Sequence, residues 1–254
     1  MNSAPMKIGM VGVGNIATSP TVGYLANLKK LPSKLDLIAV ADAIGDRAEQ
    51  AAREYGIPYA YRSLEELLEN PEVEAVVNIT NIPAHAAVTR KVLESGRHCF
   101  SEKPLATNLQ EADELVELAR SKGLTLVCAP IVAMLPAHRE VRRLLDAGVI
   151  GKVAFAKVRS SHGGPASWAF RTDPTWFYQL GAGPLFDMGV YGIHTITSLL
   201  GPAKRVVAFS GITEPTRTVV GGPAKGKVIE VTADDNTLIM LDFGGSTFAF
   251  VDGT

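Results

Sequence analysis

The first half of the chain repeats one pattern of hydrophobic and polar positions. Short apolar runs, typical of strands buried on both faces, alternate with longer stretches whose apolar residues have helical spacing. The runs lie at residues 7–11, 35–42, 73–80, 98–101 and 124–129. This strict alternation of strands and helices predicts an α/β domain with a doubly wound parallel sheet, which we assign to residues 1–130.

Capping signals indicate where some of the intervening helices begin. Ser63 and Glu66 have the spacing of a capping box ahead of a short helix. Thr107 is expected to cap a long amphipathic helix that reaches residue 122. Two further helices are expected over residues 46–55 and 84–95, where each apolar stripe is followed by a glycine.

The pattern changes after residue 130. A helix is expected over 136–147, and residues 152–159 alternate with period two, which is typical of a strand with one face exposed or covered by a partner. Residues 163–183 are rich in glycine, proline and aromatic side chains and predict a loop, while 185–200 are helix-like despite Gly189 and Gly192. Four more strands are expected, at 204–212, 227–232, 236–243 and 246–251. Residues 131–254 are therefore predicted to form an α+β domain with a mainly antiparallel sheet.

Composition narrows the possible partners. The 254 residues include 25 Lys and Arg against 26 Asp and Glu, so no basic stripe for nucleic acid and no acidic tail is expected. The apolar runs are shorter than the roughly 18 residues of a membrane span, and residues 1–6 have no signal-peptide pattern. Cys99 and Cys128 fall in strand-like segments and are expected to be buried free thiols of a cytoplasmic protein.

The turn after the first strand carries the clearest candidate chemistry. Residues 12–17 have the pattern G-x-G-x-x-A between a strand and a helix. In a dinucleotide fold the first glycine makes the tight turn, the second lets the pyrophosphate approach, and the small third residue lets helix and strand pack closely. The residues expected to bind the cofactor at this turn are Gly12, Val13, Gly14, Asn15 and Ile16.

The second strand ends in an acidic residue that bears on which dinucleotide binds. Asp42 lies about where this fold has the carboxylate that binds the adenosine ribose hydroxyls. A carboxylate there favours NAD, because it repels the 2′-phosphate of NADP, although the nearby Arg47 favours NADP. Asp42 could instead cap the helix that follows.

Three motifs together resemble those of the glucose–fructose oxidoreductase and inositol dehydrogenase superfamily, also called Gfo/Idh/MocA-like. They are the glycine turn at 12–17, Glu102-Lys103-Pro104 after the strand at 98–101, and the glycine-rich segment 181–191, which contains Asp187 and Tyr191. The resemblance covers nearly the whole chain. It implies an NAD(P)-dependent oxidoreductase that transfers hydride between nicotinamide and a hydroxyl or ketone of a sugar, inositol or related polyol.

The resemblance also assigns roles to individual residues. Lys103 matches the lysine that contacts both nicotinamide and the substrate hydroxyl, and Asp187 would orient the substrate. Tyr191 lies four residues after Asp187, which predicts one shared helical face, and it stands where many members have a general acid–base histidine. The glucose–fructose oxidoreductase and dihydrodiol dehydrogenase branches are similar in carrying a tyrosine there. His194 would share its helical face as a relay residue, although it could be structural. Each of the other three also has a structural alternative: a solvated lysine, a helix N-terminal carboxylate and a packed tyrosine.

Further contacts are expected around these residues. The additional cofactor-binding candidates are Thr80, Asn81, His85 and Glu102, and His85 could equally be structural. The substrate-binding candidates His162, Trp168 and Arg171 lie in the aromatic loop, where they could equally serve packing. Cys and His residues do not have metal-ligand spacing, so no metal site is expected.

Alternatives of other classes stay open at this point. An NAD-dependent glycosidase or lyase uses the same fold without net oxidation, and a nucleotide-sensing regulator would not react at all. The period-two strand at 152–159 predicts a homodimer or homotetramer formed through the open face of the second sheet. Family members usually extend beyond the position of Thr254, and an exposed apolar last strand would promote aggregation, so we expect the protein to continue past it.

Overall fold

The computed structural model describes residues 4–254. The chain divides into two compact units, one ending at Ala129 and the other beginning at Pro130. Each unit has its own sheet and its own buried apolar side chains.

The first unit is built on a six-stranded parallel sheet in the order β3-β2-β1-β4-β5-β6. The strands are β1 Met6–Val11, β2 Leu35–Ala41, β3 Tyr59–Tyr61, β4 Ala75–Asn78, β5 His98–Ser101 and β6 Leu126–Cys128. The chain runs outward from β1 to β3 and then returns to β4 on the other side of β1. This reversal confirms the predicted doubly wound sheet, and ligands in such folds bind at the carboxyl ends of the strands beside it.

Helices connect these strands. They are α1 Asn15–Thr18, α2 Tyr24–Leu28, α3 Gly45–Tyr55, α4 Leu64–Glu69, α5 His85–Glu94 and α6 Leu109–Ser121. The Ser63 hydroxyl accepts a hydrogen bond from the Glu66 N–H at 3.1 Å, as the capping box predicted. Helix α6 is capped by Asn108 and not by Thr107, because the Asn108 side chain is the one that accepts the Glu111 N–H, at 2.9 Å.

The second unit has a four-stranded sheet in the order β7-β12-β11-β8 and a separate pair, β9 and β10. The strands are β7 Phe155–Arg159, β8 Arg205–Gly211, β9 Thr216–Thr218, β10 Val228–Glu230, β11 Asn236–Gly244 and β12 Thr247–Asp252, and the long helices are α7 Pro136–Asp146 and α8 Val190–Leu200. Only the β7–β12 pairing is parallel in the four-stranded sheet, so the prediction of a mainly antiparallel sheet is confirmed.

Helix α8 packs on one face of this sheet. Its Ile196 joins Ile239, Leu241, Ala249 and Val251 in a buried cluster. Gly192 makes the close approach possible, because a Cβ there would lie 3.1 Å from Val158 and 3.2 Å from Val251. This packing explains why a glycine interrupts an otherwise apolar helix.

Three local predictions for the second unit need correction. The last strand, β12, is interior, between β7 and β11, and is not an exposed edge. The strand expected at 227–232 is the three-residue β10, which pairs with β9 outside the main sheet. The expected loop 163–183 contains two 3₁₀ turns, Pro165–Ser167 and Thr175–Tyr178, because Phe177 and Tyr178 are buried in a small core with Val219 and Ile229.

Among the described residues, no helix combines the length and the apolar character that crossing a bilayer requires.

Candidate active site

The glycine turn lies at the carboxyl end of β1. Gly12 has φ +95°, and a Cβ there would lie 2.6 Å from the Ile79 carbonyl oxygen, so only glycine fits. Gly14 is different, because a Cβ there would meet no atom within 4 Å. The backbone at Gly14 is therefore open to close approach, as the second glycine of this motif is predicted to be. Asn15 begins α1, and the side chain of Ile16 is half exposed.

Asp42 follows β2 and lies beside this turn. Its Oδ2 accepts the Val13 N–H at 2.7 Å, and its Oδ1 accepts the Ile44 N–H at 2.8 Å. The carboxylate therefore supports both the glycine turn and the chain that enters α3. The alternative that Asp42 caps α3 is wrong, because the N-cap residue is Ile44 and no side chain caps this helix. The role of Asp42 in binding the ribose stays a prediction.

A buried polar group at the end of β4 organises the next loop. Asn78 is fully buried, and its amide donates to the His85 carbonyl at 3.0 Å and to the Thr89 hydroxyl at 3.1 Å. Its oxygen accepts the Thr80 hydroxyl at 2.7 Å, while Asn81 stays exposed. The sequence analysis did not single out Asn78, although an amide inside an apolar strand is itself a signal.

His85 begins α5 beneath this loop and is 2% exposed. Its Nδ1 lies 2.8 Å from the Pro104 carbonyl oxygen, and its Nε2 lies 3.0 Å from the Thr80 carbonyl oxygen. Burial lowers the pKa of His85, although the two carbonyl oxygens and the charge of Glu102 act in the opposite direction.

Glu102 and Lys103 follow the neighbouring strand β5. The Glu102 carboxylate accepts the Tyr24 hydroxyl at 2.6 Å and the Lys103 N–H at 3.1 Å. Lys103 is 8% exposed, which is unusual for a lysine. Four predicted residues, Thr80, His85, Glu102 and Lys103, therefore lie at the carboxyl ends of the adjacent strands β4 and β5.

In the second unit, the structure pairs two residues that the sequence analysis named separately. The Gly164 N–H donates to Nδ1 of His162 at 2.8 Å, so the proton of a neutral imidazole is assigned to Nε2. That nitrogen lies 3.1 Å from Oδ2 of Asp187 and donates to it. The ring packs edge-on against Trp168, with 5.2 Å between ring centres.

Asp187 and Tyr191 were predicted to share one face of a continuous α-helix. The structure instead has a π-helical turn over Leu185–Gly189, and α8 begins only at Val190. A π-turn is wider than an α-turn, so α-helical spacing does not hold between the two residues. Tyr191 and His194 both lie in α8 and are partly buried, whereas Arg171 is exposed.

A cavity of about 240 Å³ lies next to His162 within the second unit. It is also lined by Arg159, Tyr178, Arg217, Asp235 and Thr254, whereas Trp168 and Arg171 do not line it. Arg217 donates to the buried Asp235 at 2.7 Å. Burial by itself raises the pKa of Asp235, but the Thr213 N–H, Arg217 and the Glu214 N–H together hold it below its ordinary value. This ion pair could not be predicted from sequence patterns, since Arg217 lies in β9 and Asp235 lies in the loop before β11.

Metal-ligating side chains do not cluster within residues 4–254, where the structure holds no group of three or more His, Cys, Asp or Glu placed for an ion.

Comparison with known proteins identifies the family. A family model described as "Oxidoreductase family, NAD-binding Rossmann fold" matches residues 6–129, and one described as "GFO/IDH/MocA C-terminal domain" matches residues 138–254. The chain belongs to the GFO/IDH/MocA oxidoreductase family. The predicted family, its NAD-binding Rossmann domain and the oxidoreductase class are thereby confirmed at the level of the family.

Curated members of the GFO/IDH/MocA family resemble this chain along most of its length. Trans-1,2-dihydrobenzene-1,2-diol dehydrogenase of Mus musculus is 31% identical over 241 residues, which are 94% of this chain and 66% of the relative. The enzyme of the same name from Oryctolagus cuniculus is 33% identical over 223 residues, which are 87% of this chain and 62% of the relative. The chain thus spans about two thirds of the length of these relatives.

Solved structures of the family share the fold. A 3-ketoreductase from Actinomadura kijaniata in complex with NADP has a TM-score of 0.75 at 25% identity, covering 98% of this chain and 68% of its own. The WlbA dehydrogenase from Bordetella pertussis, in complex with NADH and UDP-GlcNAcA, has a TM-score of 0.83 at 17% identity. The match covers 98% of this chain and 71% of the WlbA chain.

Proposed function

We propose that the protein is an NAD(P)-dependent oxidoreductase that transfers hydride between nicotinamide and a hydroxyl or ketone of a sugar, inositol or related cyclic polyol. The observation that carries the proposal is Lys103, a lysine buried at the carboxyl end of β5 in an NAD-binding Rossmann domain. The name of the mammalian relatives denotes a cyclic 1,2-diol, which supports a substrate with neighbouring hydroxyl groups.

The glycine turn would hold the cofactor. The open space at Gly14 and the N–H groups at the start of α1 suit a pyrophosphate, with Gly12, Val13, Asn15 and Ile16 completing the turn. Thr80, Asn81 and Glu102 would support the nicotinamide side, whereas His85, which is 2% exposed, would act through the loops it lies between. Asp42 favours NAD over NADP because of its charge, with Arg47 as the residue that would favour NADP. When bound, the cofactor accepts or returns the hydride.

The remaining chemistry is the transfer of one proton. Lys103 would bind the reacting hydroxyl and handle its proton together with Tyr191, while Asp187 would orient the substrate. The hydrogen bond from His162 fixes the direction of the Asp187 carboxylate, which supports this orienting role. Trp168 and Arg171 would contact the substrate, and His194 is the alternative relay residue.

The Lys103→Ala variant tests this function through the rate at which it reduces the nicotinamide cofactor. Proton transfer by a positioned group contributes about 10²–10⁴-fold, so this variant should lose about that much turnover in a polyol screen that follows reduced nicotinamide. NAD affinity, measured by calorimetry, should persist because the glycine turn is unchanged. Lys91→Ala is the matched control, because Lys91 is an exposed lysine of the same unit paired with Glu65.

Two outcomes would contradict the proposal. Full turnover in Lys103→Ala would remove Lys103 from the chemistry. Cleavage of a glycoside at substoichiometric NAD, with no accumulation of reduced cofactor, would identify the lyase class instead.

We also infer a homo-oligomer, a dimer or tetramer, in the cytoplasm. The exposed apolar face of the second sheet supports the association. The free thiols of Cys99 and Cys128 support a reducing compartment. Burial raises the pKa of Cys99 to about 11 and that of Cys128 to about 12, so both thiols stay protonated at neutral pH and are poor nucleophiles.

A further inference from the structure

The His85 side chain joins two loops that leave adjacent strands. Its two ring nitrogens lie 2.8 Å from the Pro104 carbonyl and 3.0 Å from the Thr80 carbonyl. Thr80 follows β4, and Pro104 is the residue directly after Lys103. We infer that His85 is a positioning residue, which fixes the backbone at Lys103 and does not itself contact cofactor or substrate. This inference rests on the proposed function of Lys103.

The His85 ring is shielded from solvent, because the residue is 2% exposed, so its polar atoms depend on protein partners. Both ring nitrogens face carbonyl oxygens, which only accept, so a neutral imidazole donates its one N–H to one of them at a time. The backbone of His85 is held as well, because its carbonyl accepts the Asn78 amide at 3.0 Å. His85 is therefore fixed at its backbone and placed between the two loops by its ring.

The contact between the His85 ring and the Pro104 carbonyl lies next to Lys103, so the position of the Lys103 backbone depends on it. The Lys103 N–H is bound by Glu102 on one side, and the Pro104 carbonyl is bound by His85 on the other. The backbone at Lys103 is thus anchored on both sides. A displacement of about 1 Å at a reacting group can cost about 10²-fold in rate, so loosening one anchor should lower turnover without removing the lysine.

The variant His85→Phe keeps an aromatic ring and removes the imidazole N–H donor. Thr89→Val is the matched control, since Thr89 is also buried in α5 and its hydroxyl bonds the Asn78 amide, whereas the His85 ring faces the Thr80 and Pro104 carbonyls. The first measurement uses no cofactor or substrate: trace acetylation by acetic anhydride, read residue by residue by mass spectrometry. We expect the Lys103 rate to rise at least about threefold in His85→Phe, while Thr89→Val and the exposed Lys91 and Lys122 stay unchanged.

The second measurement is a double-mutant cycle in turnover. His85→Phe should lose about tenfold or more in kcat while the Kd for NAD stays within about threefold, and this loss should disappear in a Lys103→Ala background. Additive losses, or a Lys103 acetylation rate equal to that of Thr89→Val, would overturn the positioning role. If His85→Phe does not fold, His85→Gln, which keeps one donor, takes its place, with a smaller change in the same direction expected.

The two readouts separate this inference from the proposed function. If the wild-type protein turns over no polyol, the proposed function fails, and acetylation of Lys103 still decides whether His85 holds the loop. If turnover exists but Lys103→Ala leaves it intact, the function of Lys103 fails while the structural link is judged separately.

Discussion

At the scale of single residues, the Asp42 carboxylate combines a structural and a selective role. It accepts N–H groups from Val13 and Ile44 and carries a full negative charge beside the glycine turn. Two substitutions can separate these roles. Asn keeps an oxygen for the Val13 N–H but removes the charge, whereas Ala removes both.

We expect the native protein to bind NAD more tightly than NADP, with Asp42→Asn narrowing the ratio of the two affinities at least about tenfold. The reason is that a carboxylate near a phosphate costs several kcal/mol at an effective dielectric constant of about 20. Asp42→Ala should weaken both cofactors as well, because the turn loses its acceptor. Calorimetry with each cofactor measures these effects. A native preference for NADP would instead point to Arg47 as the phosphate contact.

Single residues also show which features of the site could be predicted from the sequence and which could not. The capping box at Ser63 was identified from local spacing, and its geometry depends only on neighbours along the chain. Gly12 was identified from its motif, although the Ile79 carbonyl that a Cβ would meet comes close only in the folded protein. The pair His162–Asp187 and the amide of Asn78 also depend on contacts made after folding. Local patterns contain no record of such contacts, so His162 and Asp187 were named separately and Asn78 was not named.

At the scale of elements, the β1–α1 turn contains two glycines, of which Gly14 has space for a side chain and Gly12 does not. Gly14→Val should fold with nearly native stability, because no atom of the protein lies within 4 Å of the new Cβ, yet its side chain would fill the space for the pyrophosphate. We expect NAD affinity to fall at least about 100-fold, a loss of about 2.7 kcal/mol. Calorimetry and thermal unfolding measure the two effects.

Gly12→Ala is the contrasting variant. Its Cβ would lie 2.6 Å from a backbone oxygen at φ +95°, so it should lower the free energy of unfolding, by more than about 1 kcal/mol. Native NAD affinity in Gly14→Val would show that the pyrophosphate does not lie at this turn.

Element length explains which strands the sequence predicted. Buried strands such as β1 and β4 form continuous apolar runs and were recognised. The strands β3, β9 and β10 have three residues each, too few to display a period, so β3 and β9 were missed and β10 was predicted too long. The equally short β6 was recognised because it lies within the apolar run 124–129. The π-turn at 185–189 was also missed, because its side chains are compatible with an ordinary helix.

At the scale of the whole molecule, one face of the second sheet is exposed and apolar. Side chains alternate along β11, so Ile239 and Leu241 face α8 while Leu238 and Met240 point the other way. On that outer face Leu238 is paired with Phe209 and Met240 with Val207, and Phe209 is 80% exposed. Such a contiguous patch is typical of a surface that a partner covers.

We propose that a second copy of the chain covers this face, and its charges of both signs support this. Arg205 and Asp242 form an ion pair at one end, with 2.8 Å between Nε and the carboxylate. Lys157 lies over the Phe250 ring at the other side. A twofold arrangement can therefore bring apolar side chains together at the centre and match opposite charges at the rim.

The proposed association predicts that a charge at the centre of the outer face of the second sheet weakens the oligomer. Phe209→Lys would bury an unpaired ammonium in the interface, so we expect the dimer or tetramer of the full-length protein to dissociate at micromolar concentration, with Kd raised at least about 30-fold. Light scattering measures the mass, and unchanged NAD affinity would show that the first unit is intact. Leu109→Lys is the control, because Leu109 is 76% exposed on the other unit and should leave the mass unaltered. A monomeric native protein, or a Phe209→Lys variant of native mass, would assign this face to something other than a second copy.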